Sequence, residues 1–391
     1  MSRRVLFAQP SVQPPGGGNG VAAWMLQALH ERFDTTLLTF ERFDTDAINR
    51  FYGTQLDPRR IRVLNASPAL YPFVNRMPVP LGMLRTSLML RAVRRIRADY
   101  DLIVSANNEG DFQTPGIQYI HYPWRLMPRP VADLRWYHVQ PVLGAYYALC
   151  DRLALLSRAG VLSNLSLVNS DWTGRLMVRW YGDVPTTTLY PPVAGNFPSV
   201  PWEERSNGFV CIGRLAPEKN LDRVFDIVAA VRRHLPDAHL HLFGTDGKSA
   251  YSRRILQRAL RERAWVTYHR DLRRDEMLNL VSKQRYGIHG MTDEHFGMGV
   301  AEMVRAGCIV WVPDDGGQVE IVGDERLTYH RDEDAVARIL PVVADPAQQA
   351  LLREHLAGRG ARFSAQRFVA ELQDIVDEFL RKRAPPTAAA T

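Results

Sequence analysis

The chain alternates short apolar runs with helix-length segments, and it does so in two series. In the first, "RRVLFAQP" reads as a buried strand, a glycine-rich loop follows, a helix is predicted from about Val21 to Arg32, and "TTLLTF" reads as the next strand. "YDLIVSAN" and "GIQYIHYP" read as two more buried strands that end in polar residues. The stretch "TTTLYPPVAGNFPSVPWEERSNG", rich in Pro, Ser, Gly and Asn, interrupts the pattern and reads as a linker. The pattern then restarts. Strands "FVCIGRL", "AHLHLFG", "WVTYHR", "RYGIHG" and "CIVWVP" are separated by helices predicted near 220–234, 249–263 and 274–283, with another starting at Met298. Strands that alternate with helices demand parallel sheets with right-handed crossovers, because a parallel return needs a crossover element and the strand twist sets its hand. The expectation is an α/β chain of two Rossmann-like domains, 1–200 and 201–365, with a C-terminal helix and disordered tail over 366–391. Ligands of such sheets bind beyond the carboxyl ends of the strands, so the sequence predicts that the domains face one another across a cleft that holds the site.

Length supports two domains, since 391 residues exceed what one core of roughly 150–200 residues holds. The mixture, 46% hydrophobic and 23% charged, excludes disordered and fibrous classes. Three scattered cysteines, Cys150, Cys211 and Cys308, lack metal-ligand spacing and point to a reducing compartment. No apolar run approaches the roughly 20 residues of a membrane span, and "MSRRVLFAQPSVQ" breaks at Pro10 too early for a signal peptide, so a cytoplasmic protein is expected.

Charge is uneven. Residues 1–200 hold 21 arginines and no lysine against 14 acids, whereas residues 201–391 hold 28 basic and 28 acidic residues. The densest part is "LRTSLMLRAVRRIRADY", where Arg85, Arg91, Arg94, Arg95 and Arg97 interleave with Leu84, Leu88, Leu90 and Val93. Such a stretch is either a helix with one buried face and a solvated basic face, or a reversible contact with the anionic inner face of a membrane. Few aromatics interleave with these arginines and no RNA-binding motif accompanies them, so a nucleic-acid partner is not expected.

The second half carries the chemistry. In "GIHGMTDEHFGMGVAEMVRAG" a strand gives way to a loop and then a helix, and Gly297 and Gly299 allow a tight turn whose backbone N–H groups attract phosphate. Glu294 lies before that helix start and Glu302 one turn inside it. Carboxylates are acceptor-only and suit pairs of hydroxyls, so the two flank the anion site. "GRLAPEKN" sets Arg214 and Lys219 after the first strand of this half, and four lysines against 45 arginines make a lysine there an unusual choice. Two fixed cations neutralise a diphosphate without a metal. Taken singly, each of these features also reads as ordinary surface charge.

Together, "GRLAPEKN", "LHLFG", "GIHGMTDEHFGMGVAEMVRAG" and "PDDGGQVEIV" resemble, in order and spacing, the retaining GT-B glycosyltransferases of family 4, which carry an E-x7-E motif. "GGGNGVA", "IHYPW", "VNSDWT" and "LYPPV" resemble segments of that family's first domain. The subgroup most similar in motif is the GDP-mannose-dependent α-1,2-mannosyltransferases of lipid-linked oligosaccharide assembly, whose membrane anchor has no counterpart among the apolar runs here. The resemblance implies a GT-B fold and a hexose transferred, mannose from GDP-mannose being the first candidate, to a glycan or lipid-linked hydroxyl. It assigns Arg214 and Lys219 to the donor diphosphate, Glu294 to the transferred sugar, Glu302 to the ribose, and the N–H groups of Phe296, Gly297, Met298 and Gly299 to sugar and phosphates. His121 would face the donor sugar from the first domain, Gly17 and Gly18 would let the backbone approach it, and Arg270 and Leu272 would wall the base. Glu320 is placed beside the donor or in an exposed loop. No acidic pair with metal spacing ends a strand, so neither metal nor cofactor is expected. A nicotinamide dehydrogenase is disfavoured because "GGGNG" lacks G-x-G-x-x-G spacing. A GT-B epimerase or hydrolase is the nearer rival.

Overall fold

The computed structural model describes residues 3–66, 82–124, 142–245 and 249–383. The chain divides into two compact units, Met1–Pro192 together with Ala365–Thr391, and Val193–Ser364. The tail beyond Arg383 lies outside the described residues.

The first unit is built on a sheet whose strands are β1 (Arg4–Ala8), β2 (Asp34–Thr39), β3 (Ile61–Asn65), β4 (Leu102–Ser105), β5 (Ile117–Ile120), β6 (Leu165–Val168) and β7 (Thr186–Thr188). Their order is β3-β2-β1-β4-β5-β6-β7, every pair parallel, with Val5 opposite both Thr35 and Leu102. The two-residue period of a strand divides the core. Val5, Phe7 and Leu37 pack on one face with the helices Gly17–Arg32 and Ala365–Arg383, while Leu6, Ala8 and Leu38 pack on the other with Met89, Leu90 and Val93 of the helix Gly82–Ile96. Strands covered on both faces read as unbroken apolar runs, which is why β1, β4 and β5 are legible. Edge strand β3 buries only Ile61 fully and was not predicted, nor were β6 and the threonine strand β7, which lies inside the segment read as linker. The first helix begins at Gly17 rather than near Val21. Glycine is a poor helix former, but Gly20 lies against the Tyr52 ring and donates to Gly16, so tertiary packing extends the helix through the glycines.

The second unit repeats the plan with β8 (Ser206–Ile212), β9 (His239–Gly244), β10 (Val266–Arg270), β11 (Gln284–Ile288), β12 (Ile309–Pro313) and β13 (Thr328–Tyr329), in the parallel order β10-β9-β8-β11-β12-β13. All but the two-residue β13 were predicted. Aromatic rings hold its centre, with Phe209 and Tyr286 5.1 Å apart and Tyr286 and Trp311 5.9 Å apart. In both sheets the order reverses beside the first strand, between β1 and β4 and between β8 and β11. There the crossovers leave in opposite directions and open a crevice at the carboxyl ends.

Candidate active site

The crevice of the second unit lies beyond Ile212 of β8 and Ile288 of β11. From β8 the chain runs through a single 3-10 turn, Pro217–Lys219, and a left-handed Asn220 (φ 46°), which brings Lys219 back over the strand end. From β11 it passes His289 into the loop that carries Glu294. Lys219 Nζ lies 2.5 Å from Glu294 Oε2, and His289 Nε2 lies 3.2 Å from the same oxygen. The loop is braced from behind, with Gly317 N–H donating to the Glu294 carbonyl at 2.7 Å and the Tyr329 hydroxyl donating to the His289 carbonyl.

These neighbours set the charges. Burial pushes the Glu294 carboxyl up, but the Lys219 charge and the hydrogen bonds from His289 and Lys219 outweigh it and hold it well below the usual carboxylate range. Burial pulls His289 down against the opposing pull of Glu294, so the ring is neutral at pH 7. A neutral ring that gives its Nε2 proton to Glu294 leaves Nδ1 bare, and Nδ1 is buried without a hydrogen-bond partner. The cluster thus holds one ammonium and one carboxylate fixed in a site largely screened from water.

Beside it starts the helix Met298–Arg305. Its N-cap, Gly297, has φ 107°, where a side chain would be strained, and no side chain caps the helix. A Cβ on Gly299 would lie 2.6 Å from the Ile212 carbonyl oxygen, so only glycine lets the first turn dock on β8. The uncapped N–H groups of that turn carry the positive end of the helix dipole. Glu302 is buried, and its Oε1 forms an ion pair with Arg274 at 2.7 Å, while Arg274 donates to the Ala194 carbonyl at 2.6 Å.

The structure therefore brings Lys219, Glu294 and the helix start together and places Glu302 one turn deeper. Phe296 is buried against Phe363 at 5.5 Å, which anchors the approach to the turn. Arg214 stands apart, its side chain 71% exposed and held by Glu218 at 3.2 Å. Arg270 and Leu272 lie at the end of β10, two strands from β8 along the same sheet edge. Glu320 sits in the short helix Gln318–Val322, whose Gln318 donates to the Met291 carbonyl at 2.7 Å. In the first unit, a Cβ on Gly18 would lie 3.5 Å from His121 Nε2, which is itself 3.1 Å from the Ala106 carbonyl oxygen, so glycine loop and histidine meet at the ends of β4 and β5. Gly17 opens the same helix.

The basic stretch does not form one exposed face. Arg85 pairs with Glu41 at 2.7 Å and donates to the Pro10 carbonyl, lining a cavity of about 340 Å³ with Gln9, Ser11, Asn19 and Asn107. Arg94 has its Nε and one terminal nitrogen buried without partners, and of the five only Arg91 and Arg95 are exposed, with Arg97 half-buried. The spacing of arginines alone hides this, because helical register, not composition, decides which of them faces inward.

Two residues of the site escaped the sequence reading. His289 follows β11 directly, as His121 follows β5, and that shared position was the available signal. Arg274 had none: it reaches Glu302 from a helix read only for its periodicity.

Residues 195–359 match the family model described as "Glycosyl transferases group 1". A curated relative from Neurospora crassa, named GDP-Man:Man(3)GlcNAc(2)-PP-Dol alpha-1,2-mannosyltransferase, is 28% identical over 52% of this chain and 44% of its own. The chain spans about half the length of the curated relatives it matches. Among solved structures, sucrose-phosphate synthase from Thermosynechococcus elongatus superposes with a TM-score of 0.69 at 16% identity, over 97% of this chain and 100% of the other. HepE of Anabaena, in complex with UDP and glucose, superposes with a TM-score of 0.65 at 16% identity over the same shares. Residues 195–359 thus carry a glycosyl transferases group 1 domain, and the two parallel-sheet units have the GT-B fold of the glycosyltransferase structures they match.

Proposed function

We propose that the protein moves a mannosyl residue from GDP-mannose to a hydroxyl of a glycan or lipid-linked acceptor, with retention at the anomeric carbon and without a metal ion. The observation that carries the reading is the Lys219–Glu294 pair beside an uncapped helix start at the crevice of the second unit. Cleaving a sugar–phosphate bond builds negative charge on the diphosphate and oxocarbenium character on the sugar. Lys219 and the N–H groups at Gly297 to Gly299 meet the first charge, and the ionised Glu294 accepts from the sugar hydroxyls and faces the second. Their 2.5 Å contact makes phosphate and sugar positions adjacent. Glu302 keeps one oxygen for the ribose hydroxyls while Arg274 holds the other. Retention follows if the acceptor attacks from the leaving-group face and a phosphate oxygen takes its proton. Mannose and the lipid-linked acceptor are supported by the name of the Neurospora relative, which is 28% identical. With Arg91 and Arg95 exposed, the proposed place of work is the inner face of an anionic membrane, reached reversibly. No helix among the described residues is long and apolar enough to cross a membrane.

A thermal-shift screen against GDP-, UDP-, ADP- and dTDP-sugars tests the donor, since a ligand at 100 times its dissociation constant adds about 2.7 kcal/mol. GDP-mannose is expected to give the largest shift, and transfer to require an added acceptor. Consumption of the nucleotide sugar without acceptor would favour the epimerase or hydrolase, and a product of inverted configuration would overturn the proposed geometry of attack.

A further inference from the structure

The second unit has a pocket at the opposite end of its sheet. It measures about 620 Å³ and is walled by the helix Pro346–Ala361, the end of the helix Met298–Arg305 and the residue preceding β8. Three arginines line it, Arg205, Arg305 and Arg353. Arg205 donates to the carbonyls of Val200, Gln284 and Ala306 and lies 5.8 Å over the Trp202 ring, which accounts for it as a cap on the end of the Met298 helix. Arg305 donates to the Val193 carbonyl and lies 4.6 Å from the Phe197 ring. Arg353 makes no hydrogen bond among the described residues and lies 4.5 Å over the Trp202 ring, itself tied to Gln349 at 2.9 Å. Glu354, the acid of the lining, is exposed and pairs with none of the three.

Capping and stacking explain where each arginine lies but not why three line one cavity with no carboxylate paired to them among the described residues. Burial, and to a lesser degree the neighbouring Arg353 charge, disfavour the Arg205 cation, and burial, then the Arg274 charge, disfavour that of Arg305. An anion in the pocket relieves both and gives Arg353 a partner. Guanidinium forks match phosphate oxygens in pairs, and the volume exceeds what a bare phosphate fills. Val304, Leu356 and Ala357 add apolar wall for the rest of the ligand.

We propose that this pocket binds a phosphomonoester of sugar size, separately from the donor site. The Met298 helix starts at the donor cluster and ends at Arg305 in the pocket lining, and its two ends lie about 10 Å apart at 1.5 Å per residue. A ligand of one does not occupy the other. The phosphate is carried either by a free sugar phosphate or by a lipid headgroup.

The test is calorimetry on the full chain at low ionic strength, with glucose 6-phosphate, dihexanoyl phosphatidic acid and inorganic phosphate as probes. Each is titrated in the presence of whichever nucleoside diphosphate gives the largest thermal shift. Binding is expected to persist with that nucleotide bound, to weaken at least roughly tenfold in Arg353→Gln, and to strengthen several-fold in Glu354→Gln, where a repelling charge is gone. Arg353 makes no hydrogen bond among the described residues, and an unchanged nucleotide shift verifies that its variant keeps the fold. Which of the first two probes binds tighter identifies the source of the phosphate. No binding of any probe up to about 10 mM, displacement by the nucleotide, or affinity indifferent to both variants would overturn the proposal. None of these outcomes bears on the transferase reading, which stands or falls on nucleotide-sugar turnover.

Discussion

Lys219 Nζ and Glu294 Oε2 are 2.5 Å apart across the crevice of the second unit, their side chains 17% and 14% exposed. Each is the other's main counter-charge, so removing one strands the other. Lys219→Ala is expected to cost roughly 1–3 kcal/mol of stability and 10²-fold or more in turnover, the first from an unpaired carboxylate and the second from lost stabilisation of the leaving group. In a Glu294→Gln background the stability cost of Lys219→Ala should largely vanish. Denaturant melts of the four proteins in this cycle measure the coupling, and additive effects would mean the pair does not act as a unit.

The two glutamates should separate kinetically. Glu294 faces the transferred sugar in the proposed mechanism, and Glu302 the ribose, so Glu294→Gln is expected to lower kcat with little change in KM. Glu302→Gln should raise KM for the nucleotide sugar. Arg274→Ala frees the Glu302 carboxylate from its 2.7 Å partner and should move KM in the same sense. Steady-state kinetics with the donor varied decides this. Equal effects of the two glutamate variants on both parameters would contradict the division.

How much of this was legible beforehand differs between the halves. Central strands such as "FVCIGRL" and "CIVWVP" are covered on both faces, so their apolar runs announce them and place "GRLAPEKN" and "GMGVAE" at one sheet edge. Pairing across that edge is another matter. That Lys219 would be spent partly on Glu294, that His289 would be the third member, and that Arg274 would claim one Glu302 oxygen all depend on loop paths set by Asn220 and Gly297. Sequence spacing does not encode those paths. In the first unit the arginines were visible while their directions were not, because Arg85 and Arg91 share a helix but not a face.

Acid should destabilise the second unit through its histidines. His241 Nδ1 and His269 Nε2 are 2.9 Å apart on β9 and β10. Burial, then the charges of His239 and His269, push His241 down to about 4, and burial lowers His269 as well. The unfolded chain takes up a proton near pH 6.5, which folded His241 refuses until about 4, so stability is lost as pH falls through that window. Melting temperatures between pH 7.5 and 4.5 are expected to fall less steeply in His241→Asn. A slope identical to wild type would show that these histidines do not control the acid limit.

Chelation tests the proposed absence of a metal. If Lys219 and the helix start carry the charge of the leaving diphosphate, excess EDTA should leave the transfer rate within about twofold of its starting value, and added Mg²⁺ should not rescue Lys219→Ala. Activity that disappears with EDTA and returns with Mg²⁺ would replace this mechanism with a metal-assisted one.

Membrane contact has become a more restricted claim. Near an anionic surface each basic residue contributes about 1 kcal/mol, so five arginines from Arg85 to Arg97 would have supplied about 5 kcal/mol. Arg85 is committed to Glu41, Arg94 is turned inward and Arg97 is half-buried, which leaves Arg91 and Arg95, one helical turn apart and exposed, to supply about 2 kcal/mol. That is roughly a 30-fold preference for the surface, enough for reversible contact but not for stable anchoring. Flotation with vesicles containing phosphatidylserine should therefore show weak binding that disappears as salt screens the charges and is absent from neutral vesicles. Arg91→Gln with Arg95→Gln should abolish it. Arg85→Gln should leave it unchanged while disturbing the Glu41 cavity, an asymmetry that net charge alone does not produce. Equal losses from both variants would mean that total charge, not the exposed face of this helix, drives binding. No flotation of the wild type at low salt would leave a soluble acceptor as the better reading.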